Sequence, residues 1–151
     1  MFSITKKYVD YNGVEKTETF WFNLNRVELA KLALGPKGGL DGLIEEITRT
    51  SDVGRVLDLI QEILLMSYGR KTPEGRFAKT DENGHSYARE FEQTVAFETI
   101  YMELFENVDS LIAFIKGVVP AQLKADVERE SEKARERIAE MQDQDGNLQL
   151  V

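Results

Sequence analysis

Val14-Glu15-Lys16-Thr17-Glu18-Thr19-Phe20-Trp21-Phe22, preceded by the turn residues Asp10-Tyr11-Asn12-Gly13 and by the run from Phe2 to Val9, decides the fold. Both runs are rich in β-branched and aromatic side chains, and Asn12-Gly13 accepts the positive φ that a tight connection needs. The segment therefore reads as a β-hairpin. Side chains alternate across a strand, so Phe20 and Phe22 share one face and Trp21 takes the other. A two-stranded hairpin alone is marginal in water. At least one of these aromatic faces must pack on helices or on another chain.

Downstream the apolar period becomes helical. Asn25-Arg26-Val27-Glu28 has the form of a capping box, and Val27, Leu29, Ala30, Leu32, Ala33 and Leu34 continue as a short helix that Gly35-Pro36 ends. Leu40, Leu43, Ile44 and Ile47 make a second short helix after Gly38-Gly39. Ser51 or Asp52 caps a third, which runs to about Tyr68 and stops at Gly69. Its apolar residues, from Val53 to Tyr68, fill an arc of roughly 200°, so it must be covered on more than one side. Arg70 to Ser86 is dense in turn formers and reads as a long exposed loop with a short extended piece at Arg76-Phe77-Ala78. Helical spacing resumes from Tyr87 to about Asn107 and again from Asp109 to Gly117, the latter between an Asp cap and the stops Gly117 and Pro120.

Residues 121–141 place Leu123, Val127, Ala134, Ile138 and Met141 on a thin apolar stripe. Glu128, Glu132, Glu136 and Glu140 form one ridge beside it, and Arg129, Lys133 and Arg137 the next. Gln142 to Val151 show no periodicity and are expected to be a mobile tail. The expected fold class is mainly α (α+β): an N-terminal β-hairpin packed on a bundle of about five helices, with a charged C-terminal helix. Residues 1–120 form the hairpin and helical core domain, and residues 121–151 the charged helix and tail.

Composition narrows the chemistry. Of 151 residues, 42% are apolar and 30% charged, close to the globular average. Nineteen Lys and Arg against 27 Asp and Glu leave a net charge of −8, the wrong sign for binding nucleic acid through its phosphates. The absence of Cys removes disulfides and thiolate metal sites, and the single His85 leaves no imidazole cluster. The N-terminus lacks the apolar core of a secretory signal, and the longest aliphatic run, Ile63-Leu64-Leu65-Met66, is far short of the roughly 20 residues of a membrane span. No membrane association is expected, and the expected location is cytoplasmic.

Several local patterns suggest chemistry and do not supply it. Gly35-Pro36-Lys37-Gly38-Gly39 lacks the spacing of a phosphate loop and reads as a helix stop. Asp81-Glu82-Asn83-Gly84 and Asp143-Gln144-Asp145-Gly146 look like pieces of a calcium loop, but Lys79 and Met141 stand where the leading Asp belongs, so both read as turns. His85 lies in a polar loop beside Ser86, which is well placed as an N-cap. Glu45 and Glu46 point about 100° apart on a helix, poor geometry for shared acid–base work. No catalytic residue, metal ligand or cofactor is expected, and a small hydrolase is the weakest reading for want of a convergent nucleophile, base and oxyanion set.

The segment from Tyr87 to Asn107 carries the most apolar surface. Taken as one helix, it has Phe97, Ile100, Tyr101 and Leu104 with the neighbouring Val108 on one stripe, and Phe91, Val95, Met102 and Phe105 on a second. Most of these side chains are expected in the bundle. Part of the second stripe, with Phe91, Met102 and Phe105, is expected to receive an amphipathic helix from another protein. Leu123, Val127 and Ile138 make a further, partner-dependent surface.

The run Asp10 to Leu24 followed by Glu28-Leu29 resembles the opening of the tail assembly chaperones of long-tailed, siphovirus-type bacteriophages. In that group a hairpin of the form Gly-x-Glu-x-Thr-Glu-x-Phe-x-Phe-Asn-Leu leads into a helix. Gly38-Gly39-Leu40, Ser67-Tyr68-Gly69-Arg70-Lys71, Gly75-Arg76-Phe77, Phe91-Glu92-Gln93-Thr94 with Ala96, Met102-Glu103-Leu104 and Pro120 fall in the expected order. The likeness spans about residues 1–120 and departs at Val95 and Phe97, where similar sequences carry an acid and a Tyr. It implies a non-catalytic assembly factor of the host cell cytoplasm that binds the tape measure protein and helps the major tail tube protein polymerise around it. A frameshifted longer form of the chain is a further implied partner, and self-association is left open. From a different class, the acidic ridge suggests an inhibitor that mimics nucleic acid toward a basic partner. Dependence on Glu128, Glu132, Glu136 and Glu140, and not on the apolar stripes, would distinguish it.

Overall fold

Alternation at the N-terminus produces two long strands, β1 (Phe2–Val9) and β2 (Glu15–Phe22), paired antiparallel from Phe2 opposite Phe22 to Val9 opposite Glu15. The turn between them is held by one side chain. The Asp10 carboxylate accepts the backbone N–H groups of Asn12 and Val14, both at 2.9 Å, and Gly13 takes φ +78°. The same construction recurs twice between residues 72 and 85: Thr72 Oγ1 accepts the Arg76 N–H before Gly75, and Asp81 accepts those of Asn83 and His85 around Gly84. In each a positive-φ glycine closes the turn.

The structure is a computed structural model that describes residues 1–32, 49, 52–119, 132, 135–137 and 139–140. The expected helix at Leu40–Ile47, the Gly35-Pro36 stop, Leu123, Val127, Ile138 and the tail from Gln142 lie outside the described residues. The capping box forms as the sequence implies. Asn25 Oδ1 accepts the Glu28 N–H at 2.8 Å while Glu28 Oε1 accepts the Asn25 N–H at 3.0 Å, opening α1 (Arg26–Leu32). Asp52 caps α2 (Val53–Ser67) by accepting the Arg55 N–H.

At the end of α2 the chain does not stop in a loop. Tyr68 turns extended and begins β3 (Tyr68–Lys71), which pairs with β2, and β4 (Phe77–Ala78) pairs with β3. The result is a four-stranded antiparallel sheet in the order β1-β2-β3-β4. The stretch expected as a long exposed loop is thus partly the sheet's far side, tied down by two of the three repeated turns.

The expected single helix from Tyr87 to Asn107 is two helices, α3 (Tyr87–Glu92) and α4 (Val95–Glu106). Thr94 makes the break. Its hydroxyl donates to the Phe91 carbonyl at 2.7 Å and accepts the Phe97 N–H at 3.2 Å, so it closes one helix and caps the next. Ser86 caps α3 as expected. The last helix of the body, α5 (Val108–Val118), is capped by Asn107, whose Oδ1 accepts the Ser110 N–H at 3.1 Å, and not by Asp109.

The helices cover one face of the sheet, where Phe20, Phe22, Tyr68, Phe91 and Phe114 join Leu59, Ile63, Leu64 and Ile100 in a single core. Each such side chain contributes about 1.5–3 kcal/mol by leaving water. Trp21, on the other face, is half-buried with the Lys71 ammonium 4.3 Å from its ring centre. The body is closed across its termini: the Leu24 N–H donates to the Val118 carbonyl at 2.8 Å, and Phe2 packs edge-on against Phe114.

Candidate functional site

Breaking the helix at Thr94 separates side chains that a continuous helix would align. Phe91 sits on α3 with its ring stacked on Tyr68 at 4.3 Å and edge-on to Phe97 at 5.4 Å, and it is 2% exposed. It is an interior residue, which corrects its expected place on a surface open to a partner. On α4, Ile100 and Leu104 are buried, and Tyr101 is anchored by donating its hydroxyl to the Leu57 carbonyl at 2.6 Å. Phe105 is half-buried against the core. Met102 is 39% exposed and stands on the wet side of the helix.

Around Met102 the surface forms a shallow groove of about 680 Å³ lined by Glu98, Thr99, Met102, Glu103, Glu106 and Asn107. Glu98 and Glu106 lie one helical turn to either side of Met102, so the thioether is framed by carboxylates along the axis. Glu103 alone is neutralised within this set, by an ion pair with Lys6 of β1. Of this set the sequence reading identifies Met102 alone as a partner contact and misses the rim carboxylates. The spacing of four residues from Met102 is the signal that finds Glu98 and Glu106. Val108, grouped by spacing with the core stripe, is 51% exposed because it begins α5 rather than continuing α4.

The other polar clusters are structural. Lys79 Nζ donates to the carbonyls of Met66 at 2.7 Å and Asn23 at 3.2 Å and pairs with Glu28 Oε2 at 3.2 Å. Burial lowers its pKa and the Glu28 charge opposes that shift. This cation holds β4, the end of α2 and the start of α1 together. His85 Nδ1 lies 3.2 Å from Asp81 Oδ2 on an exposed turn. Among the described residues no group of three or more His, Asp or Glu side chains is arranged to hold a metal. Among them too, no helix is long and apolar enough to cross a membrane. Of the acidic ridge, Glu132, Glu136 and Glu140 are helical and exposed, and Arg135 in their midst lies 3.6 Å from Asp109 of α5.

The arrangement is thus an adaptable apolar contact set in a carboxylate rim. No curated protein and no solved structure matches this sequence. A family model described as phage tail assembly chaperone matches residues 1–150. With that match running almost end to end over the hairpin, the capping box and the helices, the chain belongs to the phage tail assembly chaperone family.

Proposed function

We propose that this chaperone binds the tape measure protein in the host cytoplasm, keeps it soluble and promotes polymerisation of the major tail tube protein around it, without catalysis or a cofactor. The observation that carries the reading at residue level is the exposure of Met102 inside an acidic rim on α4. A flexible thioether accommodates varied apolar anchors of a helical client, and the flanking carboxylates favour basic residues beside that anchor. Masking is an equilibrium, so tube subunits that compete for the same client surface release it. A frameshifted longer form of the chain would share this body. Leu123, Val127 and Ile138 supply the second, partner-dependent surface.

Co-expression with a tape measure fragment tests the proposal. Wild-type chain holds the fragment in the soluble fraction, and Met102→Glu weakens binding about tenfold, equivalent to ~1.4 kcal/mol, and lowers that fraction with an unchanged circular dichroism spectrum. An insoluble client beside the wild-type chain overturns the function. A client that stays soluble beside folded Met102→Glu overturns only the site. Phe105→Glu is the wrong variant for this purpose, because it places charge against the core.

A further inference from the structure

β1 is an outermost strand of the sheet, and among the described residues no strand lies beyond it. The Asp10 N–H donates to the Val14 carbonyl across the hairpin. By the alternation of an antiparallel ladder, Phe2, Ile4, Lys6 and Tyr8 therefore also turn their backbone groups toward β2, and Ser3, Thr5, Lys7 and Val9 turn theirs outward. Edge lysines normally guard such a row. Here both are engaged within the chain, Lys6 with Glu103 and Lys7 with Glu15 at 2.5 Å.

We infer that a second copy of this chain adds to the outer edge of β1, strand against antiparallel strand, making one continuous sheet through a two-fold dimer. The outward groups belong to alternate residues, so only registers that oppose odd-numbered residues to one another can form hydrogen bonds. Centring on Thr5 opposite Thr5 sets Ser3 against Lys7 on both sides of the axis. It also places Phe2 across from Tyr8 and Ile4 across from Lys6 on the helix-covered face, and it uses the strand nearly end to end. Sliding one step further opposes Lys6 to Lys6. Sliding one step back centres on Ile4 and leaves Lys7, Tyr8 and Val9 unpaired. The strand's own sequence thus selects a single full-length register for self-pairing, in which two Lys6–Glu103 ion pairs meet near the axis. This pairing does not rest on the proposed function, although Glu103 also lines the groove beside Met102.

The chain has no cysteine, so one introduced residue reports the pairing. Oxidised Thr5→Cys is expected to run as a covalent dimer, whereas Thr17→Cys, on the same sheet face but one strand in, stays monomeric. In the unmodified protein the mass doubles with rising concentration in sedimentation, and the amides of Ser3, Thr5 and Lys7 exchange more slowly as it does. Equal cross-linking of the two variants overturns the inference. So does a single monomer mass at all concentrations, or a dimer whose Ser3, Thr5 and Lys7 amides exchange as fast as in dilute solution. Protection of those amides by added client while the chain remains monomeric also overturns it, since the edge then takes a different strand.

Discussion

Phe91 shows how one residue's role depends on a neighbour three positions away. Its ring contacts Phe20, Phe22, Tyr68 and Phe97 with centroids between 4.3 and 5.9 Å. Phe91→Ala is expected to cost about 3–5 kcal/mol in urea unfolding, and a cost below 1 kcal/mol would contradict the packing. The turn aspartates make a second residue-scale prediction. Backbone N–H groups, that of Val14 first for Asp10 and that of His85 first for Asp81, stabilise the ionised carboxylates and hold both below the ordinary 3.8. A depressed folded-state pKa means that their contribution is present above that value and is lost as pH falls through the lowered one. Carboxyl titration by NMR should give midpoints under 3.8 for both residues, with the Val14 and His85 amide shifts moving in step. Midpoints at or above 3.8 would refute the turn geometry. These local features were legible, because a cap or turn needs only residues within four positions. Phe91's burial was not, because it follows from a hydroxyl at Thr94 competing for backbone bonds.

Among elements, the ones read correctly carry their own boundary chemistry. Asn25 with Glu28 and Ser86 announce α1 and α3, and alternation announces the hairpin. β3 reads in sequence as a helix stop and loop, since the strand that draws its first two residues into the sheet is β2, far away in sequence: Trp21 pairs with Gly69 and Phe22 with Tyr68. Gly69 is required there. A Cβ would lie 2.8 Å from the Ala78 carbonyl oxygen and 2.7 Å from the Phe77 ring, so Gly69→Ala should destabilise by about 1–3 kcal/mol and loosen β4. Thr94→Ala removes the joint between α3 and α4 and should cost about 1 kcal/mol, whereas Thr94→Ser should retain most of it. Chemical denaturation of the pair tests this, and equal losses would mean that packing, not the hydroxyl, sets the break. At the candidate site the same logic holds. Met102 was legible from helical spacing, but its separation from Phe91 depended on where α3 ends.

For the whole molecule, closure falls on one close approach. A Cβ on Gly117 would stand 2.3 Å from the Phe2 ring, so α5 can lie against β1 only because that position is bare. Gly117→Ala should lower stability by about 1–3 kcal/mol, and Phe2→Leu in the same chain should recover part of the loss, a coupling that a double-mutant cycle reads directly. Strictly additive losses would show that the two positions do not touch. This clasp joins the start of β1 to the end of α5, together with the Leu24–Val118 bond. On the ribosome, then, the hairpin emerges before α5, and Phe2 and Phe22 wait without their Phe114 cover until synthesis has passed Val118. A nascent chain halted before that point holds an open aromatic sheet, a target for the cell's holdases and proteases, and completion of α5 ends that exposure.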